Sequence, residues 1–379
     1  MGMSSETGSE TGPAEIVRPG FEAVRELFAE IAATRPQVNA ALAAYVDGEP
    51  VVDLWTGPAY RADSIQGVYS ATKGAAGIAL ALLIQRGLLD PDAPVADYWP
   101  EFAAAGKDAI TVRGLASHQA GLVNVDGGFT FDEFTGHTRL AERLAAQRPF
   151  WEPGTGHGYH ALTIGTLVSE LFLRVTGQPV GEFFRREIAE PYGVDFFIGL
   201  PEREEPRVVP SLPIDIGGDG PPPFDMPPFF RQAMNIGVDF EGGSNLPGLR
   251  SFRAAGVASI GGFGSARGLA RLYAVATQEV DGRPPLLTPE TRAAVAEVQV
   301  SGADLVLPFA TTYSMLFELA APTAGPGSFG HSGANGALAY ADPGLGLAFG
   351  YTTDTPSSVG GADPVTADLS HALAAAIRP

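Results

Sequence analysis

The chain has 379 residues, 45% of them hydrophobic and 18% charged, and a formal net charge of −19. That length and balance suit a globular protein of about two domains. The acidity disfavours nucleic acid and anionic membrane surfaces as partners, because both need basic patches, and the absence of cysteine excludes disulfides, cysteine zinc sites, iron–sulfur clusters and thiol catalysis.

Residues 1–15 are small and polar and read as a disordered tail. This start lacks the positive charge and apolar stretch of a secretory signal. The longest apolar run, 78–84, is too short to span a bilayer. The expectation is a soluble, cytoplasmic protein with no membrane partner. Phe21, Val24, Leu27, Phe28 and Ile31 fall at helical spacing and predict a helix over 21–34. Strands over 39–46 and 50–55 flank Asp47-Gly48, a hairpin turn signal. A short strand at 65–69 leads into Ser70, and residues 71–86 read as a helix stopped by Gly87.

Further helices are expected at 111–117, 132–147, 160–175 and 180–190. Residues 201–250 are rich in proline and glycine, a composition that in a compact protein marks a functional or disordered loop. A helix begins near Ser265, strands follow at 311–319, 336–341 and 346–352, and a last helix covers 362–377. Asp342-Pro343-Gly344 turns the chain between the last two strands. Sheet-forming segments thus lie at both ends with helices between. The expected fold class is α+β: an antiparallel sheet flanked by helices, built from 16–75 and 250–379, beside a mainly helical domain over 76–249.

The chain holds two lysines among 24 basic residues, and one of them follows a serine by three positions in Ser70-Ala71-Thr72-Lys73. Arginine holds its proton near neutral pH, whereas a buried lysine can lose it. In the first turn of a helix, Ser70 and Lys73 share one face. Burial would lower the lysine pKa and make a neutral amine accessible, and a serine hydroxyl needs such a base to become a nucleophile. The helix N-terminus favours negative charge developing there.

Three further segments accompany this one: Gly158-Tyr159-His160-Ala161, Phe329-Gly330-His331-Ser332-Gly333-Ala334, and Ser117-His118-Gln119-Ala120-Gly121-Leu122. In order and spacing they resemble the serine hydrolases of the class C β-lactamase-like group, which includes family VIII carboxylesterases, D-alanyl-D-alanine peptidases, D-aminopeptidases and some acyltransferases. The resemblance runs from about residue 20 to the C-terminus. It implies a β-lactamase/transpeptidase-like fold and an acyl-enzyme on Ser70. Lys73 and Tyr159 would act jointly as general base and acid. His331 would line the sheet edge and orient the tyrosine or the substrate, and the backbone N–H groups of Ser70 and Ala334 would form the oxyanion hole.

The chain departs from the group's pattern in ways that bear on substrate. Ala161 stands where class C β-lactamases carry asparagine, and His331 stands where many carry a lysine that receives a substrate carboxylate. Both departures favour neutral acyl esters over β-lactams. Gln119, His160, Phe224 and Phe229 are expected in the substrate pocket, with Met226 and Phe230 in the same loop as the two phenylalanines. His118 is expected to tie a loop together. His157 and His160 form His-x-x-His without accompanying carboxylates, so neither a metal nor any other cofactor is expected. No Gly-x-Ser-x-Gly elbow and no phosphate-binding loop is present.

The leading expectation is a serine carboxylesterase acting on small to medium acyl esters. An acyltransferase or amide hydrolase (a D-amino-acid peptidase or a weak β-lactamase) would share the acyl-enzyme and differ in the acyl acceptor. A non-catalytic binding protein could use the same scaffold. Oligomeric state is left open.

Overall fold

The computed structural model describes residues 15–214, 226–238, 245–319, 325, 327–357 and 361–378. The first part of the chain supplies β1 (Ile16–Val17), β2 (Ala40–Val46) and β3 (Glu49–Thr56). Strands β4 (Gln66–Gly67), β5 (Phe196–Ile198) and β6 (Gly262–Gly264) make a small sheet of their own, in the order β4-β6-β5. A two-stranded ribbon, β7 (Val300–Ala303) with β8 (Ala310–Tyr313), precedes β9 (Phe329–Ser332), β10 (Leu338–Asp342) and β11 (Leu347–Thr353). The main sheet is antiparallel and runs β1-β3-β2-β11-β10-β9. Both ends of the chain therefore meet at the β2–β11 pair, as the α+β reading expects.

The two faces of this sheet differ in side-chain size. Leu42, Leu54, Leu338, Tyr340, Phe349 and Tyr351 pack against the helices Glu22–Thr34 and Val365–Ile377. The alternate positions Ala41, Ala43, Ala339, Ala341 and Ala348 face the other way, toward the helices Ala71–Gln85 and Ala266–Thr277. Small residues let a helix backbone come close to the sheet. At Gly350 an added Cβ would run into the backbone of Ala266 and Ala270. The period-2 alternation thus sets both register and distance.

The helix Ala71–Gln85 is buried on every side over 71–83. This explains why its sequence reads apolar all round rather than as a stripe. Gly74 and Gly77 are points where neighbouring rings press closest on this helix. A Cβ on Gly74 would strike Tyr273 Oη, and one on Gly77 would come within 2.7 Å of the Phe317 ring. The hairpin at Asp47-Gly48 forms as expected, with φ +49° and +85°.

Some elements differ from the sequence reading. The helix expected over 132–147 is two helices, Phe131–Gly136 and Thr138–Ala146, because His137 turns left-handed at φ +64°. The helix expected from 160 starts at Thr163, since His160 and Ala161 are held by other contacts. The strand expected over 311–319 leaves the ladder after Tyr313, turns at Leu316 (φ +66°) and returns at Glu318 through bridges to Tyr313 and Gly330. Strand β9, which carries His331, is four residues long with Gly330 inside it and reads from sequence as a lead-in to a strand. Within the described part of 201–250 the chain makes short helical turns: Glu202–Arg207, Phe230–Ala233, Leu246–Gly248 and Arg250–Ala255, the last running past the region's end. Among the described residues no helix is long and apolar enough to cross a membrane.

Candidate active site

Ser70 stands immediately before the helix Ala71–Gln85, at the N-cap position, yet its side chain makes no capping bond. Its hydroxyl serves two other groups. Lys73 Nζ lies 3.1 Å from Ser70 Oγ, and the Tyr159 phenol neighbours the same side chain, which lowers the phenol pKa against the effect of burial. The preceding Tyr69 is held left-handed at φ +46°, a conformation that costs a bulky residue on the order of 1–3 kcal/mol and concentrates at functional sites. Its surroundings hold it there. Val68 N–H donates to Gly262 O at 3.0 Å, Thr72 Oγ1–H donates to Tyr69 O at 2.5 Å, and Asn335 Nδ2–H donates to Gly67 O at 2.8 Å.

Lys73 is fully buried. Its Nζ donates to the carbonyls of Ala161 (2.9 Å) and Ser259 (3.0 Å). Burial draws its pKa down to about 7, against the opposing field of the Glu318 carboxylate. A neutral amine has two N–H donors and one lone pair. Two carbonyls occupy the donors, which leaves the lone pair for the Ser70 hydroxyl. The arrangement therefore suits an amine able to take the serine proton near neutral pH.

Tyr159 lies under the ammonium position, with Lys73 Nζ 4.7 Å from its ring centroid. Asp304 Oδ1 accepts the Tyr159 backbone N–H at 3.1 Å. Burial raises the phenol pKa well above 10, the Glu318 carboxylate adds to this, and the neighbouring Ser70 side chain opposes it. Tyr313 stacks parallel to Tyr159, at 5.9 Å between centroids and 9° between planes. The edge of His118 meets both rings. A wall of rings thus fixes the phenol.

His331 sits on β9, the edge strand of the main sheet, with its ring centroid 6.0 Å from that of Tyr159. Its Nδ1 lies 2.7 Å from Ser332 O, a carbonyl that can only accept, so Nδ1 carries the proton. Nε2 is then a buried lone pair without a partner among the described residues. Burial lowers the imidazole pKa and keeps the ring neutral. Ala334 lies just beyond β9. A Cβ at the neighbouring Gly333 would strike Val68 O, and Asn335 ties the same turn to Gly67 and to Thr353. This turn is thereby clamped beside the segment that leads into Ser70. Neither Ser70 N–H nor Ala334 N–H donates to an acceptor among the described residues.

The other expected residues fall differently. His160 has both ring nitrogens committed: Nδ1–H donates to Gly158 O (2.7 Å), and Nε2 accepts Leu122 N–H (2.9 Å). It clamps two backbone segments and leaves no nitrogen for a substrate. Burial brings its pKa to about 4. Gln119 directs its amide to Ser117 Oγ (2.8 Å). Phe229 joins the apolar cluster that contains Tyr159 and packs 5.3 Å from Trp151; Phe224 lies outside the described residues. His118 accepts the His160 N–H on Nδ1 at 3.1 Å, which ties the loop as expected. His157 pairs with Thr311 Oγ1 at 2.9 Å. A cavity of about 770 Å³, lined by Thr166, Val180, Phe196 and Ala258, is lined by none of Ser70, Lys73, Tyr159 and His331.

Four contributors carry no sequence signal. The carbonyls of Ala161 and Ser259 hold Lys73 through backbone atoms that any residue would offer. Asp304 and Glu318 are isolated carboxylates in stretches that read as ordinary strand and turn.

Comparison with known proteins gives a consistent set of likenesses. A family model described as Beta-lactamase matches residues 24–373. The chain is 35% identical over 358 residues to the Esterase/beta-lactamase LipL of Mycobacterium tuberculosis (strain ATCC 25618 / H37Rv), covering 87% of this chain and 80% of that one. Among solved structures, EstA from Arthrobacter nitroguajacolicus Rue61a superposes with a TM-score of 0.89 at 40% identity, over 97% of this chain and 99% of that one. A family VIII carboxylesterase does so with a TM-score of 0.87 at 33% identity, over 95% and 98%.

Proposed function

Since the chain belongs to the beta-lactamase family of serine hydrolases, we propose that it is a carboxylesterase that cleaves small to medium acyl esters through an acyl-enzyme on Ser70. The observation that carries this reading is the Lys73 amine, buried, drawn to a pKa of about 7 and 3.1 Å from Ser70 Oγ. In this reading the neutral amine and the Tyr159 phenol share the serine proton as Ser70 attacks the ester carbonyl. The tetrahedral oxyanion accepts the free N–H groups of Ser70 and Ala334, each worth roughly 3 kcal/mol of barrier. The proton passes through Tyr159 to the leaving alkoxide. Water, deprotonated by the same pair, then releases the acid and restores Ser70.

His331 orients the phenol and the acyl group from the sheet edge. Phe229, in the apolar cluster beside Tyr159, lines the acyl side. The names of the similar proteins, esterase and carboxylesterase, support the ester as substrate. Ala161 and His331 remove the two side chains that would favour a β-lactam.

The test is steady turnover of p-nitrophenyl acetate and butyrate, with and without a competing alcohol. Free acid as the main product supports hydrolysis. A transfer product exceeding the acid would make the protein an acyltransferase.

A further inference from the structure

Glu318 belongs to none of the motifs above, yet it stands at the edge of the site. Its backbone pairs with Gly330 in both directions, at 2.8 and 3.2 Å, and covers the first half of the outer edge of β9. The side chain then runs forward along that edge. Ser332 N–H donates to Glu318 Oε2 at 2.9 Å, and His331 Nδ1 is 3.8 Å from the same oxygen. Burial lowers the His331 pKa and favours the neutral ring, whose Nδ1–H is directed to Ser332 O, so the imidazole offers no compensating charge. Among the described residues no arginine or lysine forms an ion pair with Glu318, whose side chain is 28% exposed and so reaches both solvent and site.

The other charges nearby do not offset it. Lys73 is neutral in its reactive form. Asp304 is buried and saturated by the N–H groups of Tyr159, Val306 and Leu307 and by the Thr311 hydroxyl. The Glu318 field is felt at Lys73, Tyr159 and Tyr313. A substrate acyl group laid along the β9 edge therefore meets one uncompensated negative charge, on a molecule whose net charge of −19 has the same sign.

We propose that Glu318 is a specificity-determining residue: its carboxylate at the β9 edge disfavours acyl groups that end in a carboxylate and favours acyl groups that end in a cation. This rests on the esterase reading and names the substrate class within it. Like charges that share this part-exposed edge repel and opposite charges attract, and because the carboxylate reaches solvent, added salt weakens both effects.

The experiment compares three esters of one chain length: p-nitrophenyl hexanoate, mono-p-nitrophenyl adipate and p-nitrophenyl 6-(trimethylammonio)hexanoate. In the wild type, kcat/KM should fall in the order cationic, neutral, anionic. E318Q keeps an oxygen for Ser332 N–H and should narrow the cationic-to-anionic ratio about fivefold. Raising the salt to about 0.5 M should narrow the wild-type ratio in the same direction, a reading that needs no variant to fold. Ratios that are flat in the wild type, or unchanged by E318Q and by salt while the hexanoate ester is still cleaved, would overturn the role of Glu318 alone. A wild type that leaves all three esters intact would remove the esterase reading, and this proposal with it.

Discussion

Lys73 Nζ lies 3.1 Å from Ser70 Oγ, and among the described residues its other hydrogen bonds go to two backbone carbonyls, those of Ala161 and Ser259. Among the described residues no carboxylate pairs with the amine directly. Burial therefore wins over charge pairing, and the amine titrates at about 7 in place of 10.5. A carboxylate in contact would raise that value and hold the proton on. Lysine scarcity in the sequence marks this position only weakly; the desolvated cage gives it its chemistry.

The first prediction follows from that titration. In the proposed mechanism the reactive form is the neutral amine, so protonation would remove activity as pH falls. With p-nitrophenyl butyrate, kcat/KM should lose about tenfold per pH unit below an apparent pKa near 7 and level off above it. A pH–rate profile measures it. A profile flat from about pH 5.5 to 8 would mean that Lys73 is not the titrating base.

Tyr159→Phe removes the hydroxyl that faces Ser70 and leaves the stack on Tyr313 intact. It should lower kcat/KM by about 10²–10⁴, with a thermal midpoint close to that of the wild type. A variant that kept wild-type turnover would assign the proton transfer to Lys73 alone.

The second lysine should behave in the opposite way. Lys107 is buried and donates to the carbonyls of Ala104 (2.6 Å), Ala145 (2.8 Å) and Gln147 (2.7 Å), and among the described residues it forms no hydrogen bond to a hydroxyl. It pins the turn over 100–106 to the end of the helix Thr138–Ala146. Lys107→Met leaves those carbonyls unpaired and should cost about 3 kcal/mol in urea unfolding. Turnover per folded molecule should be unchanged.

Gly74 is where the Ser70 helix passes under Tyr273, whose hydroxyl is buried without a partner among the described residues. Gly74→Ala should destabilise by about 1–3 kcal/mol through overpacking and should reduce activity by displacing Ser70 and Lys73. The double variant with Tyr273→Phe removes the struck oxygen and should recover part of both losses. Thermal melts of the two variants with an ester assay would show it.

Much of the site is legible in the sequence because its chemistry needs particular side chains at fixed separations. Ser70 and Lys73 must lie one helical turn apart, and the hairpin at Asp47-Gly48 and the helix start at Ser265, whose Oγ accepts Gly268 N–H, announce themselves by residue type. Other parts are not written in side chains. The acceptors that hold Lys73 are carbonyls. The edge strand with His331 is four residues long, carries Gly330 and stops before Gly333, so little side-chain alternation marks it. His160 reads as a pocket residue because of its place beside Tyr159, and only the contacts to Gly158 and Leu122 reveal a clamp. The break at His137 depends on a left-handed residue stabilised by the 2.9 Å contact of its ring with Glu170, thirty-three positions away.

Acylation of Ser70 is the step on which the proposed chemistry stands. Intact-mass spectrometry after brief exposure to p-nitrophenyl acetate and butyrate, with Ser70→Ala in parallel, tests it most directly. The account predicts a wild-type adduct of one acetyl or one butyryl group, lost on continued incubation as water releases the acid, and no adduct on the variant. A wild-type chain of unshifted mass with no ester turnover, or an adduct that persists in Ser70→Ala, would contradict it.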